Sequence, residues 1–540
     1  MTDQGRYRPH KVNREDRADG TILLTSGYEM SAVDETSGAW LHRWAGEAPD
    51  RAFLAERSGP GWREVPYAEA LETVRALAAA LLDRGMGPET PILIISGNGV
   101  DHGLLSLAAH YVGIPTVPVA EQYSLIPGAQ GQLEFIAGLI KPRMVYAVDG
   151  EKFGRALSLP VFDGLDRVVS RNAGEGHVPF ETLAQGGATD VDAAAAKVGP
   201  DSVVKILMTS GSTSSPKGVM TTHRMMCANQ AQLSDALPFL RDRPPRIVDW
   251  LPWNHVFGGS HNFNMMLANG GSLYIDEGKP AKGLVETSIE NNALMNGTMA
   301  FNVPVGFAML RDAMRRDEGL RRRYFEDLDM IFYAGASLPQ DVWRDLEQMV
   351  QEVRGAVPLM NSSWGLTETA PAVLIQHEPT DRSGIVGVPM TGTEVKLIPD
   401  EENRFEVRVR GPNIMPGYYN DPDKTREAFD DEGFFRTGDA MGFVDPADMA
   451  LGLKFDGRIS EDFKLQTGTW VRAAQLRLDA LVRLAPLAAD VVVTGEGRTE
   501  VGLLIVPAAD LAGSGRLTAD GGAMVGDEVQ GEIAGRLTEM

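Results

Sequence analysis

A chain of 540 residues exceeds one ordinary hydrophobic core, so a large subdivided domain and a smaller unit are expected. Hydrophobic residues at 43% and charged residues at 23% exclude long disorder and fibrous repeats, and a net charge of −23 excludes nonspecific attraction to nucleic acid or to an anionic membrane. The single cysteine, Cys227, excludes an internal disulfide and a cysteine-based zinc site, favours a reducing compartment, and reads as a small packed residue.

The N-terminal run MTDQGRYRPHKVNREDR has no apolar core of the kind a secretory signal needs, and no apolar span is long enough to cross a bilayer. A cytoplasmic location is expected. Residues 67–85 repeat apolar side chains at helical spacing and stop at a glycine, which predicts an amphipathic helix. PILIISGNG from Pro91 reads as a buried strand ending in a glycine turn; a helical VDHGLLSLAAHYVG and a further strand IPTVPVA follow. The alternation recurs at VVKILM, RIVDWLP and MIFYAGAS, as in a wound parallel sheet, and residues 184–202 read as a connector. From about Gly384 short strands and turns predict a small β subdomain, and another unit begins near Arg458. The fold class is therefore α/β: a large N-terminal domain of wound α/β subdomains plus a small β subdomain, then a small α+β C-terminal domain.

The strand VVKILM runs into Thr209-Ser210-Gly211-Ser212-Thr213-Ser214-Ser215-Pro216-Lys217-Gly218, and the helical pattern MMCANQAQL follows within a few residues. Small residues let several backbone N–H groups converge on phosphate oxygens, while hydroxyls and Lys217 add donors and positive charge. A Ser/Thr-rich surface turn is the plain alternative. No Gly-Lys-Ser/Thr triplet closes the loop, which removes the main support for a kinase or GTPase.

TSGSTSSPKG resembles the signature loop of the adenylate-forming superfamily, which includes acyl-CoA synthetases, luciferases and peptide-synthetase adenylation domains; Ser212 and Ser214 stand where that pattern usually has Thr and Gly. The resemblance runs over about residues 35–510 on five ordered motifs. It implies ATP or AMP, magnesium and coenzyme A as cofactors. It also implies an AMP-binding N-terminal domain over 1–456, a hinge at 457–460, and a partial C-terminal domain over 461–540 that rotates between two half-reactions.

Residue by residue, the resemblance gives Thr209, Ser210, Gly211, Ser212, Thr213 and Lys217 to the phosphates. His255 of LPWNHVFGG would line and gate the acyl pocket, although a histidine between apolar residues is by itself more often a core residue. YAGASLP offers Gly335, Ala336 and Ser337 to adenine, and otherwise reads as a strand-to-helix turn. In SSWGLTETAP, Trp364 replaces the usual tyrosine and would offer its ring to adenine or substrate, Thr367 would touch the α-phosphate and Glu368 would hold magnesium with Thr213; alone, a Thr-Glu pair marks a helix start. Asp439 of FFRTGDA would accept from both ribose hydroxyls, where the plain reading is a turn aspartate. In FDGRISEDFK, Arg458 is a ribose or phosphate partner, Ser460 departs from the usual Asp or Lys pivot, and Lys464 matches a lysine used in the second half-reaction.

The motifs look most like bacterial feruloyl-CoA synthetases. An acyl pocket of His255, Asn302, Phe307, Ala334, Gly365, Trp364 and Ala372 would suit a small aromatic acid, or equally another aryl or medium-chain acid. Carrier-protein loading, a luciferase-like oxygenase and a noncatalytic nucleotide-binding module are the competing classes. The family's adenylation lysine lies near its C-terminus, whereas no lysine follows Lys464 here and the tail stops inside an amphipathic pattern, as in a shortened chain with weak or abolished adenylation. Acid and coenzyme A are the expected partners, with no nucleic acid or membrane; a homodimer is left open. The basic run from Arg311 reads as a solvated helix face.

Overall fold

The computed structural model describes residues 6–209, 216–401, 403–484, 487–508, 511, 514–520 and 523–538. Among these, the alternating segments build a seven-stranded sheet in the order Lys217–Thr222, Val203–Thr209, Thr116–Pro118, Ile92–Ile94, Met144–Asp149, Asp166–Arg171, His177–Pro179. All its pairings are parallel except that of Val203–Thr209 with Lys217–Thr222. Ile92, Leu93 and Ile94 are fully buried because helices cover both faces, which is why this strand reads as a continuous apolar run. Helix Tyr67–Asp83 buries Tyr67, Ala70, Val74, Leu77 and Leu81, one stripe at 3.6-residue spacing, and a left-handed Gly85 follows its end.

A four-stranded sheet holds Arg246–Asp249, Ser272–Ile275, Ala52–Ser58 and Gly61–Pro66, and a three-stranded parallel one holds Met299–Asn302, Met330–Tyr333 and Leu359–Asn361. The β segment is larger than its sequence texture indicates. Strands Ile385–Pro389, Glu394–Glu401, Arg404–Arg410, Phe435–Phe443 and Leu453–Arg458 join Ser363–Gly365, Ala372–Ile375 and the N-terminal Val12–Asp16 and Ile22–Ser26 in one nine-stranded sheet. Ile22, Leu23 and Leu24 supply the buried side chains that recruit the otherwise charged N-terminus.

The helical pattern MMCANQAQL lies in a helix, as expected, with a short strand between it and the loop. The loop after Thr209 leads into a strand, Lys217–Thr222, and helix His223–Ala236 starts only beyond it, capped by Thr222 Oγ1 accepting from Met225 N at 3.3 Å. Thr209 and Lys217 are cross-strand partners in an antiparallel pair. The β-branched Val219, Thr221 and Thr222, all buried, suit the extended run.

After Arg458 come the ribbon Phe463–Lys464 with Trp470–Val471, helix Ala473–Leu484, the ribbon Ala488–Thr494 with Gly502–Pro507, and helix Asp527–Leu537 around Ala480, Leu484 and Val491. A Cβ at Gly457 would lie 2.6 Å from that of Ala474, so the helix meets the last strand of the large sheet there. Buried Arg404 adds ion pairs to Asp400, Asp456 and Asp462. Among the described residues no helix is long and apolar enough to cross a membrane. The Arg311 run is spent on ion pairs, Arg311 with Asp312, Asp341 and Asp345, and Arg315 with Asp345.

Candidate active site

Strand ends from four sheets converge on two adjoining cavities. One, of about 590 Å³, is polar and bordered by Thr209, Lys217, Thr367, Glu368, Tyr418, Arg436 and Arg458. The other, of about 580 Å³, is mostly apolar, bordered by Trp250, Phe257, Val303, Phe332, Ala334 and Trp364 among others. His255, Val256, Gly365, Leu366 and Arg458 border both and form the junction.

In the polar cavity Lys217 comes from the hairpin, and Thr367 and Glu368 from a one-turn 3₁₀ segment, Thr367–Thr369, so the turn signal and the cavity position coexist. Tyr418 links the two charges: Lys217 Nζ stands 4.9 Å from its ring centroid, and its hydroxyl donates to Glu368 Oε1 at 3.1 Å. Burial and the adjacent Glu368 raise the phenol pKa. Sequence reasoning missed Tyr418, whose only signal was an aromatic pair after a glycine in Pro-Gly-Tyr-Tyr. Ser210, Gly211, Ser212 and Thr213 lie outside the described residues.

Asp439 sits at a bulge in strand Phe435–Phe443, cross-strand from Arg458. Its side chain is 3% exposed, Oδ2 accepts from Trp364 Nε1 at 2.9 Å, and Arg458 Nε lies 3.2 Å from Oδ1 as an ion pair without hydrogen-bond geometry. Oδ1 therefore keeps open acceptor capacity. Burial raises the pKa of Asp439, opposed by Arg458 and the indole donor. Gly335, in a left-handed conformation, and the exposed Ala336 and Ser337 form the rim of the apolar cavity near Asp439 and Arg458.

A wide π-type turn, Phe257–Asn262, forms one wall of the apolar cavity. A Cβ would fall 2.3 Å from Leu251 O at Gly258 and 2.1 Å from Trp253 O at Gly259, so the Gly-Gly pair permits the turn. Lys205 fastens it, donating to Gly259 O at 2.6 Å; burial lowers that lysine's pKa to about 8. His255 Nδ1 accepts from Phe257 N at 3.2 Å, and desolvation lowers its pKa. Gly365 is forced: a Cβ would stand 1.7 Å from Pro371 O.

Three expected pocket residues lie elsewhere. Phe307 is fully buried beside Phe325 and Trp343, on the core face of helix Pro304–Arg316. Asn302 Oδ1 is occupied by Trp250 Nε1 and Val303 N, and Ala372 is buried with its carbonyl accepting from Asn229 and Asn413. Lys464 borders neither cavity; its Nζ lies 4.8 Å from the Trp470 ring centroid.

The AMP-binding enzyme family model matches residues 41–419. The chain belongs to this family. It is 26% identical over 407 residues to luciferin 4-monooxygenase of Nipponoluciola cruciata, covering 70% of this chain and 68% of that protein. It is 26% identical over 399 residues to 4-coumarate–CoA ligase 3 of Oryza sativa subsp. japonica, covering 71% and 67%. Among solved structures, the anthranilate CoA ligase AuaEII in complex with anthranoyl-AMP superposes with a TM-score of 0.75 at 17% identity over 94% of this chain and 91% of that one, a likeness of fold.

For an AMP-binding enzyme the nucleotide is the first occupant to fit. Glu368 is a lone carboxylate facing Lys217, and no group of three His, Cys, Asp or Glu side chains gathers among the described residues. That set cannot cage a resident metal, but it suits a magnesium ion arriving on ATP, which keeps phosphate and water ligands and takes one carboxylate.

Proposed function

We propose that the chain uses MgATP to convert a carboxylic acid into an acyl-adenylate and then transfers the acyl group to the thiol of coenzyme A, with ferulate or a related hydroxycinnamic acid as substrate. The observation that carries this reading is the meeting of an apolar, aromatic-walled cavity with a polar cavity holding Lys217, Thr367 and Glu368. An acid lying in the first points its carboxylate at the junction. There one oxygen attacks the α-phosphorus, the bond to the bridging oxygen breaks, and pyrophosphate leaves.

Lys217, the Thr367 hydroxyl and the cation on Glu368 face the charge that grows on the phosphates, each such contact worth on the order of a hundredfold in rate. Ribose is held by Asp439 and Arg458, adenine by the Gly335–Ser337 rim. Attack of the thiol on the acyl carbon then forms the thioester and releases AMP. In this reading residues 1–456 bind nucleotide, 457–460 are the pivot, and turning of 461–540 carries Lys464 toward the site for the second step. The apolar lining of the aromatic-walled cavity and the 4-coumarate–CoA ligase likeness support an aromatic acid.

The competing reading is a form with impaired adenylation that binds nucleotide in the polar cavity without activating an acid. ATP–pyrophosphate exchange over a panel of aryl and alkyl acids, followed by thioester formation with coenzyme A, separates the two. Exchange stimulated by a hydroxycinnamate supports the ligase, and nucleotide binding with no exchange for any acid supports the impaired form.

A further inference from the structure

His261 is 1% exposed, lies in the wide turn, and borders the apolar cavity but not the polar one, which puts it on the side away from the phosphates. A relay of buried groups fixes its tautomer. Asn262 Nδ2 donates to Asp249 Oδ2 at 2.9 Å, and the other Asp249 oxygen accepts from Leu251 N at 3.1 Å. The amide oxygen of Asn262 is thereby turned to His261 Nδ1, 2.9 Å away, and an oxygen there requires Nδ1 to carry the hydrogen.

Nε2 is left as a bare lone pair, enclosed and without a hydrogen-bond partner. Burial lowers the pKa of the ring to about 4, which keeps it neutral at physiological pH. Its surroundings are aromatic: the rings of Phe332, Phe301 and Phe257 have centroids 5.0, 5.6 and 5.7 Å away. A buried acceptor with no donor is unfavourable unless a ligand satisfies it.

We infer that His261 Nε2 is the specificity contact of the acyl cavity, accepting a hydrogen bond from a donor, a hydroxyl or an amine, on the part of the acid remote from its carboxylate. The inference rests on the reading of the apolar cavity as the acyl site. It narrows the substrate class from aryl acids at large to acids bearing such a donor; an unsubstituted or purely alkyl acid leaves the nitrogen unpaired.

The test needs no turnover. Nonhydrolysable acyl-sulfamoyl adenosines carrying para-hydroxycinnamoyl, meta-hydroxycinnamoyl or plain cinnamoyl groups are titrated calorimetrically, beside AMP, into the full chain, His261→Phe and His261→Gln. The wild type is expected to bind one hydroxylated probe about tenfold more tightly than the plain one. His261→Phe should shrink that gap to about twofold or less with AMP affinity unchanged, and His261→Gln, which retains an acceptor, should keep part of it. Equal binding of all three probes by the wild type, or a gap that survives in His261→Phe, overturns the inference. Should every acyl probe bind no better than AMP, the acyl-site reading falls and the inference with it; acyl groups that add affinity without discrimination sink the role of His261 alone.

Discussion

The indole N–H of Trp364 donates to Asp439 Oδ2 at 2.9 Å, so the residue that replaces the expected tyrosine braces the carboxylate assigned to ribose. In Trp364→Phe one oxygen of a nearly inaccessible carboxylate loses its donor. The variant should lose about 1–3 kcal/mol of stability by denaturant unfolding. Burial already raises the pKa of Asp439, and the indole is one of the groups holding it down, so the variant's pKa rises further. Ribose binding needs the ionised acceptor; as pH falls, AMP affinity should therefore decline at a higher pH in the variant than in the wild type, as read by calorimetry across pH.

Glu368→Gln keeps shape but removes the charge that would face the cation. ATP–pyrophosphate exchange should fall on the order of a hundredfold, whereas AMP, which needs no magnesium, should bind within about twofold of the wild type. Equal losses of exchange and AMP affinity would place Glu368 in nucleotide binding at large and not on the cation.

A methyl group at residue 365 has nowhere to go. Gly365→Ala sets a Cβ against the Pro371 carbonyl at the junction of the two cavities, and should cost about 1–3 kcal/mol in thermal unfolding together with most of the exchange activity.

Lys205 is buried against the carbonyl of Gly259, near His102 and His110, and burial lowers its pKa to about 8 from 10.5. Between those values the unfolded chain holds the proton and the folded chain does not, so folding stability gains from this group as pH rises from about 8 to 10.5, and the penalty is complete below 8. Measured against Lys205→Met, in which other titrations cancel, wild-type stability should rise by about 3 kcal/mol over that window. A flat difference would mean that water reaches the ammonium group.

Much of the polar cavity is legible in the chain because its groups occupy strand ends and tight turns with distinctive residues. Lys217, Thr367, Glu368, Asp439 and Arg458, spread over 242 positions, meet at or beside one space. What escapes is whatever depends on facing. Helix Pro304–Arg316 turns Phe307 into the core, which no residue-type argument reveals, while Val303 just before it borders the cavity. His261 and Tyr418 are invisible for the same reason: one needs the wide turn that Gly258 and Gly259 permit, the other a contact across 50 positions to Glu368. The N-terminal strands escape because pairing with Glu394–Glu401 is nonlocal, and a charged run hides the three apolar residues that dock it.

The central claim is that one adenine nucleotide spans the junction, with its ribose on Asp439 and its phosphate facing Lys217. A crystal structure of the chain with AMP tests it most directly. The ribose hydroxyls should lie within hydrogen-bond distance of Asp439 Oδ1, adenine along Gly335–Ser337, and the phosphate on the Lys217 side. AMP seated instead in the separate cavity bordered by Arg43, Arg51, Arg241 and Arg243, with the Asp439 cleft vacant, would contradict it.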